Sequence, residues 1–190
     1  MKEEIKPGYT RVSDVSSAYA NHHKIPKNIL DYAADRGTQV HAIIDCIMND
    51  IPVSEEMYRF SGKSIKGYVN SWEKFMSGTT WFDTVLYQEE RLYNDELMIT
   101  GKPDLVGSHP SQGKLIVDWK CTKAIGKHWE LQAAGYSLLE PVTSVVFVRL
   151  CQDGGDPEVK QYNPDKELFI KAHELYKRYF EDKISNLEME

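Results

Sequence analysis

The sequence predicts an α/β protein with a mixed central sheet flanked by helices. Two segments with helical spacing of apolar residues precede a stretch rich in aromatic and β-branched residues, and further helical segments follow it. Within that stretch the run Leu115-Ile116-Val117 is apolar without alternation, the mark of a strand covered on both faces. Three meandering strands followed by a helical crossover to a fourth imply a mixed sheet with helices packed on it.

Taken in order, the segment up to about residue 28, with Tyr9-Thr-Arg-Val-Ser and His22-His23, reads as irregular or short helical structure. From Ile29 to Asn49, Leu30, Ala33, Ala34, Gly37, Val40, Ile44, Ile47 and Met48 recur at helical spacing, and Pro52 follows. Gly37 inside this helix costs about 1 kcal/mol relative to alanine, which suggests close packing against that turn. A second helix, Ile65 to Met76, carries Ile65, Tyr68, Val69, Trp72, Phe75 and Met76 on one face and ends at Ser77-Gly78. Trp81–Tyr93 reads as a strand, Asn94-Asp95 as a turn and Leu97–Val106 as a second strand. A loop, Gly107–Gly113, leads to a third strand, Leu115–Lys120. His128–Leu139 is predicted helical, Thr143–Leu150 a buried strand, and Asp165 to about Lys183 a final amphipathic helix.

At 190 residues the chain is expected to form one domain, 1–190, with its core over about 29–150 and the C-terminal helix over about 165–183. A chain of this length buries roughly 70% of the surface its unfolded form exposes, without needing disulfides or a structural metal. Cys46, Cys121 and Cys151 are odd in number, widely spaced and free of CxxC pairs, which suggests free thiols and no zinc ribbon. No apolar stretch is long enough to span a membrane and no signal peptide is evident, so no membrane partner and a cytoplasmic location are expected. The formal charge of −6 argues against a nucleic-acid partner only on average. Between Gly113 and His128, Lys114, Lys120, Lys123 and Lys127 face a single acid, Asp118.

The chemistry concentrates in two short segments. Thr100-Gly-Lys-Pro-Asp104-Leu-Val-Gly107 belongs to the second strand, and Val117-Asp118-Trp119-Lys120 ends the third. Antiparallel neighbours can bring Asp104 and Asp118 together, and the period of two puts Asp118 and Lys120 on one face. Two carboxylates suit a hard divalent cation, which acidifies a bound water and neutralises phosphate charge. A lysine beside them can position that water or stabilise charge on the phosphate. Trp119 should turn its side chain to the opposite face while its carbonyl reaches the metal. An acid-x-lysine triplet alone means little, because Glu4-Ile-Lys6, Glu158-Val-Lys160 and Glu181-Asp-Lys183 match it too. Only Asp118-Trp-Lys120 has an apolar strand before it, an Asp on the adjoining strand and a helix after it.

These features resemble the PD-(D/E)XK nuclease superfamily, and within it the RecB-like exonuclease branch, which includes the RecB nuclease domain and the mitochondrial genome maintenance exonucleases. Pro103-Asp104 matches the PD, Asp118-Trp-Lys120 the (D/E)XK, and residues 29–150 the restriction-endonuclease-like αβββαβ core, with extra helices at both ends. The resemblance implies that His41, in Gly37-Thr-Gln-Val-His41, ligates a metal together with Asp104 and Asp118. It implies that Gln132-Ala-Ala-Gly-Tyr136, with i, i+4 spacing on one helical face, holds DNA or orients the lysine. It further implies a glutamate on the first strand assisting the metal; Glu89 fits best and Glu90 remains open. Iron–sulfur members need four cysteines around this core, so no cluster is expected.

The function so implied is a Mg²⁺- or Mn²⁺-dependent DNA exonuclease acting by metal-activated water, in recombination, repair or phage DNA processing. Asp104, Asp118, Lys120 and Glu89 would form the catalytic group. Gln132, Tyr136, Lys123 and Lys127 would hold the DNA, whether linear duplex or single strand. A protein partner in recombination or replication is also implied, in a bacterial or phage-infected cell. A structure-specific or restriction-type endonuclease, or a catalytically silent DNA-binding module of the same fold, are the alternatives.

Overall fold

In the computed structural model, residues 5–20 and 24–180 are described; His22, His23 and the final residues of the expected C-terminal helix lie outside them. The chain begins with β1 (Thr10–Arg11) and α1 (Val12–Ala18), followed by the long α2 (Lys27–Met48). A 3₁₀ turn, Glu55–Tyr58, leads to the small hairpin β2 (Arg59–Phe60) and β3 (Lys63–Ser64), then to α3 (Lys66–Gly78). Next come β4 (Thr84–Gln88), β5 (Leu92–Asn94), β6 (Ile99–Gly101), β7 (Leu105–His109) and β8 (Gly113–Lys120). The chain continues through α4 (Trp129–Leu139), β9 (Ser144–Arg149), β10 (Glu158–Tyr162) and α5 (Lys166–Tyr179). No described helix is long and apolar enough to cross a membrane.

The central sheet has the order β10-β9-β8-β7-β4. Strands β4, β7 and β8 pair antiparallel, and α4 carries the chain over to β9, which pairs parallel to β8. The run α2-β4-β7-β8-α4-β9 is thus the expected αβββαβ order. Both faces of the sheet are covered. Leu115, Val117 and Trp119 of β8 pack with Val40, Ile43 and Ile44 of α2 and with Trp72 and Phe75 of α3. Ile116 faces the other layer, where Trp129, Ala133 and Tyr136 of α4 meet Phe169 and Tyr176 of α5. This is why Leu115-Ile-Val shows no alternation.

The two strands expected over Trp81–Tyr93 and Leu97–Val106 are each broken into two. Their outer halves, β5 and β6, leave the central sheet and form a separate three-stranded sheet with β1. Pro103 has no N–H for the ladder and sits between β6 and β7. On the other chain Glu89 adopts φ 49°, the left-handed region that non-glycine residues seldom occupy. The two breaks face one another, joined by the Glu89 N–H donating to the Asp104 carbonyl at 3.0 Å. The expected loop Gly107–Gly113 is shorter than its sequence suggests: β7 runs on to His109, and Gly113, at φ 78°, completes a tight turn into β8. Strand β10, at the sheet's edge, was not expected from its polar, exposed Glu158-Val-Lys-Gln sequence. Its Glu158-Val-Lys160 triplet is surface charge, with Glu158 paired to Arg149 at 2.8 Å.

Gly37 departs from expectation. A Cβ there would meet nothing within 4 Å among the described residues, so no close packing with them requires glycine. Gly37→Ala is therefore expected to stabilise the protein by about 0.5–1 kcal/mol through helix propensity, measured by urea denaturation; destabilisation would contradict this reading of α2.

His173 on α5 is buried, stacked at 5.9 Å on Phe169, and its Nε2 has no hydrogen-bond partner among the described residues. Burial, helped by Lys177, lowers its pKa to about 4. The unfolded chain takes up this proton near the ordinary value of about 6.5. The contribution to stability is complete above that pH and declines as pH falls towards 4, by up to about 1.4 kcal/mol per pH unit. His173→Phe should lose less stability between neutral pH and pH about 5 than the parent protein; equal losses would show that His173 does not titrate this way.

Candidate active site

The broken strands create the site. Asp104 follows Pro103 directly ahead of β7, and the β7–β8 register sets Leu105 opposite Val117, so Asp104 and Asp118 arrive as near neighbours. Helix α2 supplies His41, whose Nδ1 lies 2.8 Å from Asp104 Oδ1. The Trp119 N–H donates to Asp104 Oδ2 at 2.6 Å, while the Trp119 ring turns to the opposite face against Trp72 and Phe75. Asp118 and Lys120 share the other face, with Lys120 Nζ 2.6 Å from Asp118 Oδ2. The kink at Glu89 directs its carboxylate inward to Lys102, at 2.8 Å, and leaves Glu90 exposed.

Gln132 and Tyr136 are buried, and their polar ends are engaged inside the protein. Gln132 Nε2 donates to Tyr136 Oη at 2.9 Å, and Tyr136 Oη donates to Asp118 Oδ1 at 2.8 Å. The i, i+4 pair on α4 thus holds the carboxylate in place. Gly101 makes room for it: a methyl group there would lie 2.6 Å from Leu139 and 3.0 Å from the Tyr136 ring. Burial and the neighbouring acids keep the Tyr136 hydroxyl well above its usual pKa, so it remains a proton donor.

Two of the acids in the cleft resist ionisation. Burial, reinforced by Asp118, holds Asp104 above the usual carboxylate range even though His41 and Lys120 oppose it. Burial and Asp104 do the same to Glu89 against the pull of Lys102. Burial disfavours the charged form of His41, but the Asp104 carboxylate outweighs it and raises the pKa to about 9. One donor atom each from His41, Glu89 and Asp104 lies within 4.8 Å of the others. Asp118 is not in that triad, its oxygens being given to Tyr136 and Lys120. Its Oδ2 is buried and, beyond the ammonium contact, has no hydrogen bond among the described residues. Crowded carboxylates, an imidazole nitrogen and an under-satisfied buried oxygen fit a hard divalent cation.

The surrounding cleft measures about 680 Å³. Besides the acids it is lined by Arg11, Arg91, Lys102 and Lys120, and by Ser13, Ala34 and Thr38. Lys123 and Lys127 do not line it; both are exposed, and Lys127 borders two other depressions, one between α4 and α5 and one beside β10. Arg91 and Lys102 escaped the sequence reading although each is two residues from an acid that it singled out. Arg11 has no local signal, since the α1 segment enters the cleft only through tertiary folding.

No protein-family model and no curated protein sequence matches the chain. Among solved structures, an alkaline exonuclease (LHK-Exo) from Laribacter hongkongensis superposes with a TM-score of 0.52 at 12% identity, covering 96% of this chain and 92% of that one. The two share a fold. It is a restriction-endonuclease-like core of mixed α/β type. A phage-related exonuclease from Haemophilus somnus matches less well, with a TM-score of 0.44 at 19% identity over 94% of this chain and 96% of that one.

Tyr136→Phe removes the hydroxyl that bridges Gln132 and Asp118 and leaves both buried groups short of a partner. A loss of about 1–3 kcal/mol is expected on denaturant unfolding; an unchanged midpoint would mean that the hydroxyl does not hold Asp118.

Proposed function

We propose that the protein is a divalent-metal-dependent DNA exonuclease that hydrolyses phosphodiester bonds. The observation that carries this reading is the convergence of His41, Glu89, Asp104, Asp118 and Lys120 in one cleft lined with further cations. Mg²⁺ or Mn²⁺ would be held by His41, Glu89, Asp104 and Asp118, with the Trp119 carbonyl as a further ligand. When bound, such a cation supplies Lewis-acid charge for the phosphate and for activation of water.

The chain's own groups do the rest. Lys120, held against Asp118, aligns the attacking water and stabilises negative charge developing on the phosphate. Gln132 and Tyr136 keep Asp118 in a fixed orientation, since a hydrogen-bonded carboxylate cannot swing out of register. His41 orients Asp104 through one oxygen while the Trp119 N–H orients it through the other. Arg11 and Arg91, which line the same cleft, grip the DNA backbone, since a guanidinium matches phosphate geometry. Lys123 and Lys127, outside the cleft, would extend this grip along the strand. We assign the enzyme to DNA recombination, repair or phage DNA processing in the cytoplasm, with a protein partner of those pathways.

Incubation of the purified protein with linear duplex and Mg²⁺ tests the reading. Nucleotides should be released from linear DNA, a covalently closed circle should survive, and chelation should stop the reaction. Lys120→Ala should lower the rate by about 10²–10⁴-fold. Nicking of the closed circle would make the enzyme an endonuclease, and full activity in Lys120→Ala would remove that residue from the mechanism.

A further inference from the structure

Each of the three carboxylates has one cation of its own. Asp104 has His41 at 2.8 Å, Asp118 has Lys120 at 2.6 Å and Glu89 has Lys102 at 2.8 Å. His41 and Lys120 already have places in the proposed chemistry, whereas Lys102 has none. We propose that Lys102 is an internal counterion for Glu89 that a divalent cation displaces, and that the released ammonium then binds the substrate phosphate. The inference rests on the metal-site reading above and extends it to the coupling between metal and DNA.

The geometry sets the two cations in competition for one carboxylate. Glu89 is one of the three donors gathered within 4.8 Å, so a cation seated there shares the carboxylate that Lys102 now contacts. An ammonium and a divalent ion repel strongly at such separations in a partly buried cleft. Lys102 can yield: its side chain is about a third exposed and sits on a long, flexible stem. It cannot go far, because Pro103 and Asp104 follow it directly and tie its backbone to the site. Since Lys102 lines the same cleft, its ammonium remains beside the path of the DNA backbone. Glu89 is also held for this exchange. The left-handed backbone at Glu89 and the hydrogen bond from its N–H to the Asp104 carbonyl fix its position whichever cation it carries.

Linkage then requires that metal and DNA strengthen each other's binding, through Lys102, by the same factor. Lys102→Met removes the competitor without changing side-chain length much. Isothermal titration with Mn²⁺ and no DNA should show the variant binding the ion about three- to tenfold more tightly than the parent protein. Anisotropy with a short blunt duplex should show that the parent gains DNA affinity when Ca²⁺ replaces EDTA, and that the variant gains less. Lys102→Arg, which keeps the charge, should resemble the parent in Mn²⁺ affinity. As an independent arm, Glu89→Gln frees Lys102 without metal, so it should bind the duplex more tightly than the parent in EDTA; this arm decides the matter if Lys102→Met fails to fold. Equal or weaker Mn²⁺ binding in Lys102→Met, or unchanged DNA binding in Glu89→Gln, would overturn the role of Lys102. Should the parent bind Mn²⁺ and Asp104→Asn lose it, the metal-site reading survives that failure. No Mn²⁺ binding by the parent would sink both.

Discussion

Three carboxylates gathered in a partly buried cleft repel one another, and much of the surrounding structure supplies what makes that arrangement tenable. Each acid is given a cation and at least two are given hydrogen-bond donors as well: the Trp119 N–H for Asp104, and the Tyr136 hydroxyl for Asp118. The balance remains incomplete, since Asp104 and Glu89 still resist ionisation. A fold seeking stability alone would place apolar or neutral residues here. Incomplete neutralisation is what an arrangement built to receive another cation should look like.

The sheet makes the gathering possible by failing at one point. Strands β4 and β7 would continue into β5 and β6 if pairing were regular, and their side chains would then alternate above and below the sheet. Instead the chain diverts at Glu89 and at Pro103, and both diverted segments turn an acid towards the same cleft. Strand β8 stays regular to its end, buried between two helical layers, so Asp118 and Lys120 are set by simple alternation. Helix α2 then closes the cleft from one layer with His41, and α4 from the other with Gln132 and Tyr136. Asp118 is thus held by a regular strand, and Glu89 and Asp104 by the breaks beside β4 and β7, while Lys120 and Lys102 answer them from longer, more flexible side chains.

Regular features were legible in the sequence because period and burial specify them. Helices α2, α3 and α4 and strands β8 and β9 lie within one or two residues of their expected bounds, since each has a clear apolar face or a continuous apolar run. The pairing of Asp118 with Lys120 followed from the period of two. Irregular features were not legible. Nothing local says that Glu89 will adopt a positive φ, so Trp81–Tyr93 reads as one strand when it is two. Pro103 was visible, but its consequence depends on the partner strand breaking at the same level. The cleft's cations divide in the same way. Lys123 and Lys127 attract attention as a cluster along the chain, yet the fold carries both outside. Arg11 enters through tertiary contacts that no spacing rule expresses.

Everything proposed for the cleft depends on the acid cluster being a cation site. Crystals soaked in Mn²⁺ and measured at the manganese absorption edge test this directly. A cation site gives an anomalous peak in contact with carboxylate oxygens of Glu89, Asp104 and Asp118 and with His41, with Lys102 moved away from Glu89. A cleft without anomalous density, or manganese bound only at surface acids remote from Asp104, would contradict that assignment.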